Sequence, residues 1–366
     1  MADLANRSAQ LTSPLLGEPG AVAAGGPDGA NGPDAVGGPD AGIAAHYGDP
    51  FAEQRALALR SGVVDRSNRG VLRITGPDRL SWLHSLTTAH LERLAPGESA
   101  EALILSPQGH VEHHLTLTDD GSAVWAHVEP GMIDSLAGFL TSMRFMLRVE
   151  PEDVSAQYAV LTLHGPEMPE TAGRPAIVTS TGFGTDLIVP RAELAARVAE
   201  LRSAGAALAG IWAHEALRIA AGRPRLGLDT DHRTIPHEVG WIETAVHLNK
   251  GCYRGQETVA RVHNLGHPPR RLVRLLLDGS ENKLPSRGDQ VLLDETAVGF
   301  AGSSARHYEL GPIALALVKR TTPVAATLQV DGIAAAQEVL VAPDAGANIQ
   351  GELKRRRTGL IGRARE

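Results

Sequence analysis

The chain contains a single cysteine, and its neighbours favour chemistry at the thiol. Cys252 lies in the stretch NKGCYRGQETVAR, with Lys250 and Arg254 two positions away on either side. Nearby cations favour the thiolate, the form of the side chain that acts as a nucleophile or a metal ligand. Gly251 and Gly255 allow a positive φ or a close approach of the backbone to a ligand. A small, inert, buried cysteine in a glycine-bearing loop is the alternative interpretation.

Other residue patterns that commonly carry chemistry are absent or incomplete. The cluster HVEHH contains His110, Glu112, His113 and His114, but in a strand the last two point to opposite faces. No second cluster at ligand spacing accompanies it, so we expect no permanently bound metal. The chain also lacks a G-x-G-x-x-G turn opening a helix, a G-x-x-x-x-G-K-[ST] loop and a G-x-S-x-G elbow. Neither these types of nucleotide binding nor serine hydrolysis is therefore indicated.

The composition excludes several classes of protein. The 366 residues include 35 Lys and Arg against 42 Asp and Glu, and this net charge of −7 argues against a dedicated nucleic-acid packaging protein. A single cysteine forms no internal disulfide, which is typical of a reducing compartment. There is no run of about 18 apolar residues and no signal peptide. We expect a cytoplasmic protein without membrane contact.

The elements that position Cys252 fall into two α+β blocks, at residues 46–150 and 151–267. In the first block, GVLRITG predicts a strand, a helix begins at Pro77 and Asp78, and SAEALILSPQGHVEHHLTL predicts two strands around the turn SPQG. MIDSLAGFLTSMRFML has helical spacing. In the second block, YAVLTLHG predicts a strand, TGFGTDLIVP follows it, and helices are predicted at 192–203 and in GIWAHEALRIAAG.

Three further segments complete the predicted organisation. Residues 1–45, rich in Gly, Pro, Ala and Asp, predict a disordered tail, because such a segment buries too little apolar surface to offset its ordering entropy. Order is expected from about His46. Short strands with intervening turns at residues 268–345 predict a small β-barrel or sandwich. Residues 346–366, which end in GELKRRRTGLIGRARE, predict a solvated basic tail.

The stretch KGCYRGQE resembles the K-G-C-Y-x-G-Q-E signature of the YgfZ family, folate-binding relatives of the glycine-cleavage aminomethyltransferase (T-protein). Besides the thiol, the lysine and the glycines, the match includes Tyr253, Gln256 and Glu257. The context agrees over about residues 62–342. ITGPDRLSWLHSLTTAHLERL resembles the N-terminal strand and helix of the family, SPQGHVEHHLTL its hairpin, TGFGTDLIVP its central T-G-Y-x-G-x-D stretch, and LRIAAGRPRLGLD with IPHEVGWIE the approach to the cysteine.

The resemblance implies an α+β fold, a three-domain aminomethyltransferase-like ring of two α+β domains and a C-terminal small β-barrel. Tetrahydrofolate or a derivative sits in the hole of such a ring and needs a flat wall, partners for the pterin edge and cations for its carboxylates. Trp241 is the candidate wall, Glu238 a candidate partner for the pterin edge, and Gln108 lies at a turn that the fold points toward the hole. The alternatives are a core aromatic for Trp241 and a local cap for Glu238. The candidate cations, for which ordinary surface charge is the alternative, are Arg144, Arg218 and Arg261.

Two departures from the transferase argue against glycine-derived aminomethyl transfer. The transferase hairpin resembles G-G-x-x-D-D-L, whose first aspartate is assigned the catalytic role, whereas His113 stands at that position and His114 at the second. Ala220 stands where the R-x-E-A-G stretch of the transferase has the glutamate that holds the pterin. We expect His113 to line the hole. A replacement base is the alternative, since histidine titrates near neutrality.

The cysteine itself is a further departure from the transferase. The resemblance implies that Cys252 is the functional thiol, that it faces the folate hole or its rim, and that Lys250 and Tyr253 act with it. Its role is open between a nucleophile, a persulfide carrier and a transient ligand of an iron-sulfur cluster. A lone cysteine does not hold a stable Cys₄ cluster, so any cluster is shared with a partner or a second copy.

The leading function is a YgfZ-type tetrahydrofolate-binding accessory protein that supports assembly or repair of iron-sulfur enzymes and, through them, tRNA modification. Iron-sulfur enzymes or assembly proteins are then its transient partners. One alternative is an active folate-dependent aminomethyl- or methyltransferase. Another is a tRNA-binding modification factor that uses a basic strip of Arg270, Arg271 and Arg274 with the C-terminal KRRR, although the net charge counts against it.

Overall fold

The computed structural model describes residues 12–25, 38–168, 176–180 and 182–346. The predicted basic tail therefore lies outside the described residues except for its first position. The α-helices are α1 (Pro50–Leu59), α2 (Arg79–Leu86), α3 (Ile133–Ser142), α4 (Leu194–Ser203), α5 (Ile211–Ala220), α6 (Trp241–Thr244) and α7 (Gln256–Asn264). The strands are β1 (Val22–Ala23), β2 (Ala44–His46), β3 (Gly62–Asp65), β4 (Gly70–Thr75), β5 (Ser99–Leu105), β6 (Val111–Asp119), β7 (Ala123–Val128), β8 (Glu150–Asp153), β9 (Tyr158–His164), β10 (Ile177–Ser180), β11 (Thr185–Pro190), β12 (Ala207–Ala209), β13 (Arg270–Leu277), β14 (Gln290–Leu293), β15 (Thr296–His307), β16 (Gly311–Lys319), β17 (Leu328–Val330) and β18 (Ile333–Val339).

The first five-stranded sheet has the order β5-β6-β7-β4-β8. Its strands β5 and β6 are the predicted hairpin, and α2 begins within two residues of the predicted start. Leu83 of α2 and Leu136 and Leu140 of α3 pack with strand residues in one buried cluster. Each fully buried leucine of this kind contributes about 1.5–3 kcal/mol to the stability of the fold. The shared cluster therefore fixes the two helices against the sheet.

The second five-stranded sheet has the order β10-β11-β9-β3-β12, and it contradicts the predicted boundary at residue 150. Strand β3 comes from the predicted first block, yet it pairs antiparallel with β9 and parallel with β12. Strand β8, which spans the boundary, pairs with β4 in the first sheet. The two α+β units therefore exchange segments. The four residues GVVD of β3 contain no local signal for the sheet that they join, because register is set by long-range pairing.

The C-terminal strands form a closed barrel in the order β13-β16-β15-β14-β17-β18. Strand β13 closes it by pairing with β16 on one side and with β18 on the other. Closure removes the exposed strand edges that an open sheet would present. Of the two predicted architectures for this region, the barrel is confirmed and the sandwich is wrong.

The predicted disorder of residues 1–45 is wrong for the part of this segment that the structure describes. A 3₁₀-helix forms at Pro14–Gly17, and its Leu15 is buried in the core of the second sheet. Strand β1 pairs with β2, and the side chain of Asp40 is buried. Composition averages over the whole segment, whereas a few apolar and charged anchors decide whether such a chain packs. Residues 1–11 and 26–37 lie outside the described residues.

Helix α3 ends earlier than the spacing of MIDSLAGFLTSMRFML predicts. The carbonyl of Met143 accepts a hydrogen bond from Nε1 of Trp82 at 3.1 Å. It therefore binds a side chain instead of an amide in the next turn of the helix. The amide of Leu147 turns to the carbonyl of Arg144 at 3.1 Å, and Phe145 has a φ of 46°. Phe145 and Met146 are 85% and 99% exposed, so the last third of the predicted helix is a surface loop.

Candidate functional site

A cavity of about 80 Å³ lies between the two five-stranded sheets and helix α5. Strands β5, β6 and β7 form one wall, and β9, β11 and α5 form the opposite one. The barrel contributes none of its lining residues among those described. The residues that line it are Arg66, Arg69, Glu101, His114, Thr116, His127, Glu129, Thr162, Phe183, Gly184, Asp186, His214, Arg218, Arg223, Pro224, Arg225 and Trp241.

Ion pairs between buried side chains form much of this wall. Glu129 accepts from Arg69 at 2.6 Å and from Arg225 at 2.7 Å. Burial alone would raise the pKa of Glu129, but Arg225 and Arg69 outweigh it and hold that pKa well below its usual range. Arg218 is likewise bound to Glu215 at 2.6 Å and to Asp229 at 2.9 Å. These arginines are neutralised by the protein itself, as buried charges must be.

Glu101, His114 and Trp241 form a different part of the wall. A carboxylate oxygen of Glu101 lies 3.2 Å from Nε2 of His114 and also accepts from the Thr244 hydroxyl at 3.2 Å. Burial would raise the pKa of Glu101, but His114 and Arg223 lower it to about 2. The imidazole of His114 packs on the indole of Trp241, with ring centroids 4.6 Å apart and an interplanar angle of 45°. An aromatic surface, an ionised acid and a partly exposed guanidinium therefore meet at one place.

Three buried histidines complete the cavity and its surroundings as neutral groups. Burial lowers the pKa of His127 and of His164 to about 4, and it lowers that of His214 well below the usual range. Nε2 of His164 lies 2.9 Å from Nδ1 of His214, so each ring has a partner. Phe183 packs edge-on against both rings. Phe183 also lines an open cleft of about 580 Å³, which shares Gly184 with the cavity.

Lys250 anchors the loop that carries the cysteine. Its ammonium donates to the carbonyls of His84, Thr87 and Ala89, the last two at 2.6 and 2.9 Å. Burial lowers the pKa of Lys250 to about 8. The ammonium also lies 5.2 Å from the ring centroid of Tyr253. Because this lysine fills a socket of backbone carbonyls, its main role is to hold the loop against the end of α2.

Tyr253 and Gly255 fasten the other half of the loop. The Tyr253 ring is buried in the cluster that also contains Trp241, and burial raises the pKa of its phenol to about 12. Gly255 has a φ of +81°, and a Cβ there would lie 2.6 Å from the carbonyl oxygen of Ser106. A Cβ at Gly109 of the β5–β6 turn would lie 2.7 Å from the side-chain Cβ of Thr258. The two glycines let the hairpin turn and the start of α7 pack closely.

Cys252 stands between these anchors and is exposed to solvent. It is not among the described residues that line the cavity, and the expectation that it faces the folate hole or its rim stays a prediction. The alternative of an inert buried cysteine is wrong. The two cations expected to act on the thiol are engaged elsewhere, since Lys250 binds carbonyls and Arg254 pairs with Glu112 at 2.8 Å. Gln256 binds the Lys250 carbonyl at 3.4 Å, and Glu257 is exposed.

Of the predicted folate contacts, the structure brings only Trp241 and Arg218 to the cavity. His113 points to the opposite face of β6 from His114, where its ring lies 6.2 Å from Phe139 and burial lowers its pKa to about 4. Strand alternation turns His114, and not His113, toward the cavity, and the role predicted for His113 stays a prediction. Ala220 does not line the cavity either. Its carbonyl accepts from Arg274 on the barrel side.

The remaining predicted folate contacts are not among the described residues that line the cavity. Glu238 is fully buried, accepts from the Ile235 amide at 3.1 Å and pairs with Arg270 at 2.8 Å, so it is the local cap that was the alternative. Arg144 is a surface residue paired with Glu150 at 2.8 Å. The last two predicted contacts are Gln108, which lies at the hairpin turn, and Arg261, which is exposed on α7. Neither is among the described residues that line the cavity.

The three arginines of the predicted basic strip for RNA all have partners within the protein. Arg270 binds Asp231 and Glu238, and Arg274 binds Glu338. Arg271 is fully buried inside the barrel region and donates to the carbonyl of Thr322. The role of this strip in RNA binding stays a prediction. The KRRR segment lies outside the described residues.

Several cavity residues were missed from the sequence, and a signal that could have found them marks only three. Glu101, His127 and Asp186 interrupt strands that are otherwise apolar and buried. A charged or titratable residue at such a position is rarely buried unless it is paired. The arginines at 66, 69, 223 and 225 gave no comparable signal, because an arginine in a loop is usually solvated.

Comparison with known proteins identifies the class to which this fold belongs. The chain superimposes on aminomethyltransferase T of the glycine cleavage system from Bartonella henselae with a TM-score of 0.73 and 17% identity, covering 90% of this chain and 95% of the other. The fold is therefore aminomethyltransferase-like. More particularly, residues 49–173 match the GCVT N-terminal domain, so the chain contains a domain of that type.

The sequence relatives point in the same direction. A chloroplastic protein of Arabidopsis thaliana, named as a transferase, is 28% identical over 69% of this chain, and the match spans 65% of its own length. Aminomethyltransferases of Rubrobacter xylanophilus and Streptomyces coelicolor are 29% and 25% identical over 62% and 74% of this chain, which are 68% and 82% of their own lengths. Within its described part, the chain forms no helix with the length and apolar character needed to cross a membrane.

Proposed function

We propose that this chain is a YgfZ-type accessory protein that binds tetrahydrofolate in the cavity and presents Cys252 to iron-sulfur enzymes or their assembly proteins, and through them serves tRNA modification. The observation that carries this proposal is the separation of the two sites. Cys252 is exposed on a loop that Lys250 and Tyr253 hold rigidly, and it does not line the cavity among the described residues. An anchored, exposed thiol suits contact with another protein better than chemistry on a ligand in the cavity.

The residues that line the cavity fit the pterin group in kind. The indole of Trp241 offers a flat surface, the ionised carboxylate of Glu101 accepts hydrogen bonds from an amino group, and Arg223 is a cation whose side chain keeps 31% exposure. When bound, tetrahydrofolate carries one-carbon units. Drug-sized ligands fill about 300–1,000 Å³. The cavity, at about 80 Å³, holds only part of such a molecule, so we assign the rest to the cleft beyond Phe183.

Calorimetric titration of tetrahydrofolate tests this assignment with two matched arginine variants. Arg223→Met should weaken binding by about tenfold or more, because it removes the partly exposed cation of the cavity. Arg144→Met removes the exposed arginine that was a candidate from sequence alone, and it should leave the affinity unchanged. Equal losses of affinity in both variants, or no binding to folded wild type, would show that folate does not bind in the cavity.

Substitution of the cysteine tests the accessory role separately. Cys252→Ser should abolish the restoration of iron-sulfur enzyme activity in cells that lack the protein, while folate affinity and the thermal midpoint stay at wild-type values. The serine is nearly isosteric and the side chain is exposed, so no loss of packing accompanies the change. Full activity of the serine variant in cells would refute a functional thiol.

An active folate-dependent transferase is the second candidate. It is favoured by the His114–Glu101 pair, which places a titratable group on the cavity wall, and by the names of the relatives. A methylene-transfer assay with the purified chain discriminates between the two. Turnover that survives Cys252→Ser and fails in His114→Asn would establish the transferase, whereas absence of turnover in wild type supports the accessory role.

A further inference from the structure

A cluster of metal-binding side chains lies beside the cysteine loop and outside the central cavity. His84, His90 and Glu92 each place one possible ligand atom within 4.8 Å of the others. The rings of His84 and His90 are 4.8 Å apart at 80°, and the ring of His247 lies 5.2 Å from that of His90. No other trio of His, Cys, Asp or Glu reaches this spacing among the described residues.

The fold holds this cluster together from both sides. His84 lies in the last turn of α2, and His90 and Glu92 follow in the next loop. Lys250 donates to the carbonyl of Ala89, the residue before His90, at 2.9 Å and also to the carbonyl of His84. The cysteine loop therefore fixes the spacing between the two histidines.

The imidazole of His84 has a nitrogen for which the protein provides no partner. Its Nδ1 is shielded from solvent and makes no hydrogen bond within the described part of the chain. A Cβ at Gly251 would lie 4.0 Å from its Nε2, so the glycine keeps the loop close to the ring without blocking it. A buried nitrogen without a partner is uncommon in native proteins and suggests a ligand.

Two imidazoles and a carboxylate define the class of ion. Imidazole suits zinc, copper, iron and nickel, whereas magnesium and calcium prefer oxygen ligands alone. Zinc sites with two histidines and one glutamate keep a fourth position for water. Bond lengths of about 2.0–2.2 Å bring such ligand atoms closer together than the 4.8 Å limit here, which side-chain rotation achieves because Glu92 is exposed.

We propose that His84, His90 and Glu92 bind one divalent first-row transition metal ion, such as Zn²⁺, beside the loop that carries Cys252. The site is independent of folate, because none of the three residues lines the cavity. The trio does not include Cys252, whose sulfur is outside the group of atoms within 4.8 Å of one another. The ion instead holds in place the segment whose backbone carbonyls accept hydrogen bonds from Lys250.

Metal titration of the full-length chain tests the site without any activity assay. The protein is prepared without an affinity tag, stripped with a chelator and titrated with Zn²⁺ by calorimetry, and with Co²⁺ by its visible absorption. Wild type should saturate near one equivalent. His84→Asn, His90→Asn and Glu92→Gln should each weaken binding by about tenfold or more, because each removes a ligand.

Two controls keep the result decisive. His232→Asn changes an exposed histidine elsewhere and should leave metal affinity unchanged, as should Cys252→Ser. Glu92 is exposed, so Glu92→Gln keeps the fold and tests the site even if His84→Asn does not fold. Absence of saturable binding, unchanged affinity in Glu92→Gln and His90→Asn, or a loss in Cys252→Ser equal to that in His90→Asn would overturn the three-residue site.

Discussion

Asp40 and Arg225 are joined by two parallel hydrogen bonds across 185 residues of sequence. Nη1 of Arg225 donates to Oδ2 of Asp40 at 2.8 Å, and Nη2 donates to Oδ1 at 2.9 Å. Both side chains are almost fully buried, at 3% and 6% exposure. The same guanidinium also reaches Glu129 through Nε at 2.7 Å. The N-terminal segment is thereby tied to the ion network of the cavity.

Removal of this carboxylate should destabilise the protein strongly. Asp40→Ala leaves the guanidinium of Arg225 buried with one partner fewer, and breaking a buried ion pair from one side costs about 3–5 kcal/mol. Urea denaturation followed by circular dichroism measures the change. Glu150→Ala breaks the exposed pair with Arg144 and is the matched control, for which about 1 kcal/mol or less is expected. Equal losses in the two variants would mean that Asp40 is not docked.

The fold is partly predictable from sequence because local spacing identifies long apolar helices and strands. The β5–β6 hairpin, α5 and the barrel strands follow from spacing and turn residues. The exchange of β3 between units does not, since its partners β9 and β12 lie about a hundred or more residues away and pairing register is a global property. The burial of Asp40 cannot be predicted from local sequence either, because its partner Arg225 is distant in the chain.

The candidate site was predictable in its loop and much less so in its cavity. The motif identified a loop built around Cys252, but the direction of the side chain depends on Lys250 and Tyr253, which occupy the buried positions on either side. In β6, alternation separates His113 from His114 and leaves open which of them faces inward. That choice depends on which face α3 covers, as the contact between His113 and Phe139 illustrates.

Lys250 is expected to act as a structural clamp. Lys250→Met removes three hydrogen bonds to the carbonyls of His84, Thr87 and Ala89. A buried carbonyl left without a donor costs about 1–3 kcal/mol, so the variant should lose at least about 2 kcal/mol of stability. Hydrogen exchange should become faster at the end of α2 and in the cysteine loop.

The control for the clamp is another lysine that donates to a carbonyl. Lys319 donates to the carbonyl of Ala297 at 2.9 Å but is exposed, and Lys319→Met should change stability by less than about 0.5 kcal/mol. Lys250 is a clamp only if its variant exceeds this control. A Lys250→Met protein with wild-type stability and exchange would show that the ammonium serves another purpose.

His237 should make stability depend on pH. Its ring is buried, neither nitrogen has a hydrogen-bond partner among the described residues, and burial, helped by His263, lowers its pKa to about 4. In the unfolded chain a histidine titrates near pH 6.5. Between these values the unfolded chain binds a proton that the folded chain does not. The free energy of unfolding therefore falls as the pH drops from about 6.5 toward 4, by up to about 3 kcal/mol from this residue.

Replacement of that histidine isolates its share of the pH dependence. His237→Leu should flatten the slope of the free energy of unfolding between about pH 6.5 and 4, although His127 and His164 keep part of it. His232→Leu removes an exposed histidine five positions earlier in the chain and should leave the slope as it is. Parallel slopes for wild type and His237→Leu would indicate that the ring of His237 meets water in the folded state.

Replacement of Gly255 should cost stability through both backbone strain and a steric clash, and Gly97 is a control that has the strain alone. Gly255→Ala puts a Cβ at a φ of +81° and 2.6 Å from the carbonyl oxygen of Ser106, whereas Gly97→Ala puts one at +85° with no atom within 4 Å. The two variants share the conformational strain of about 1 kcal/mol, and only Gly255→Ala adds the clash with the hairpin turn. Chemical denaturation should show a loss of about 1 kcal/mol for Gly97→Ala and clearly more for Gly255→Ala. The clash should also release the loop, so alkylation of Cys252 should differ from wild type only in Gly255→Ala. If both variants lose the same stability, the start of α7 has room to move away from the turn, and the backbone contact does not position the thiol.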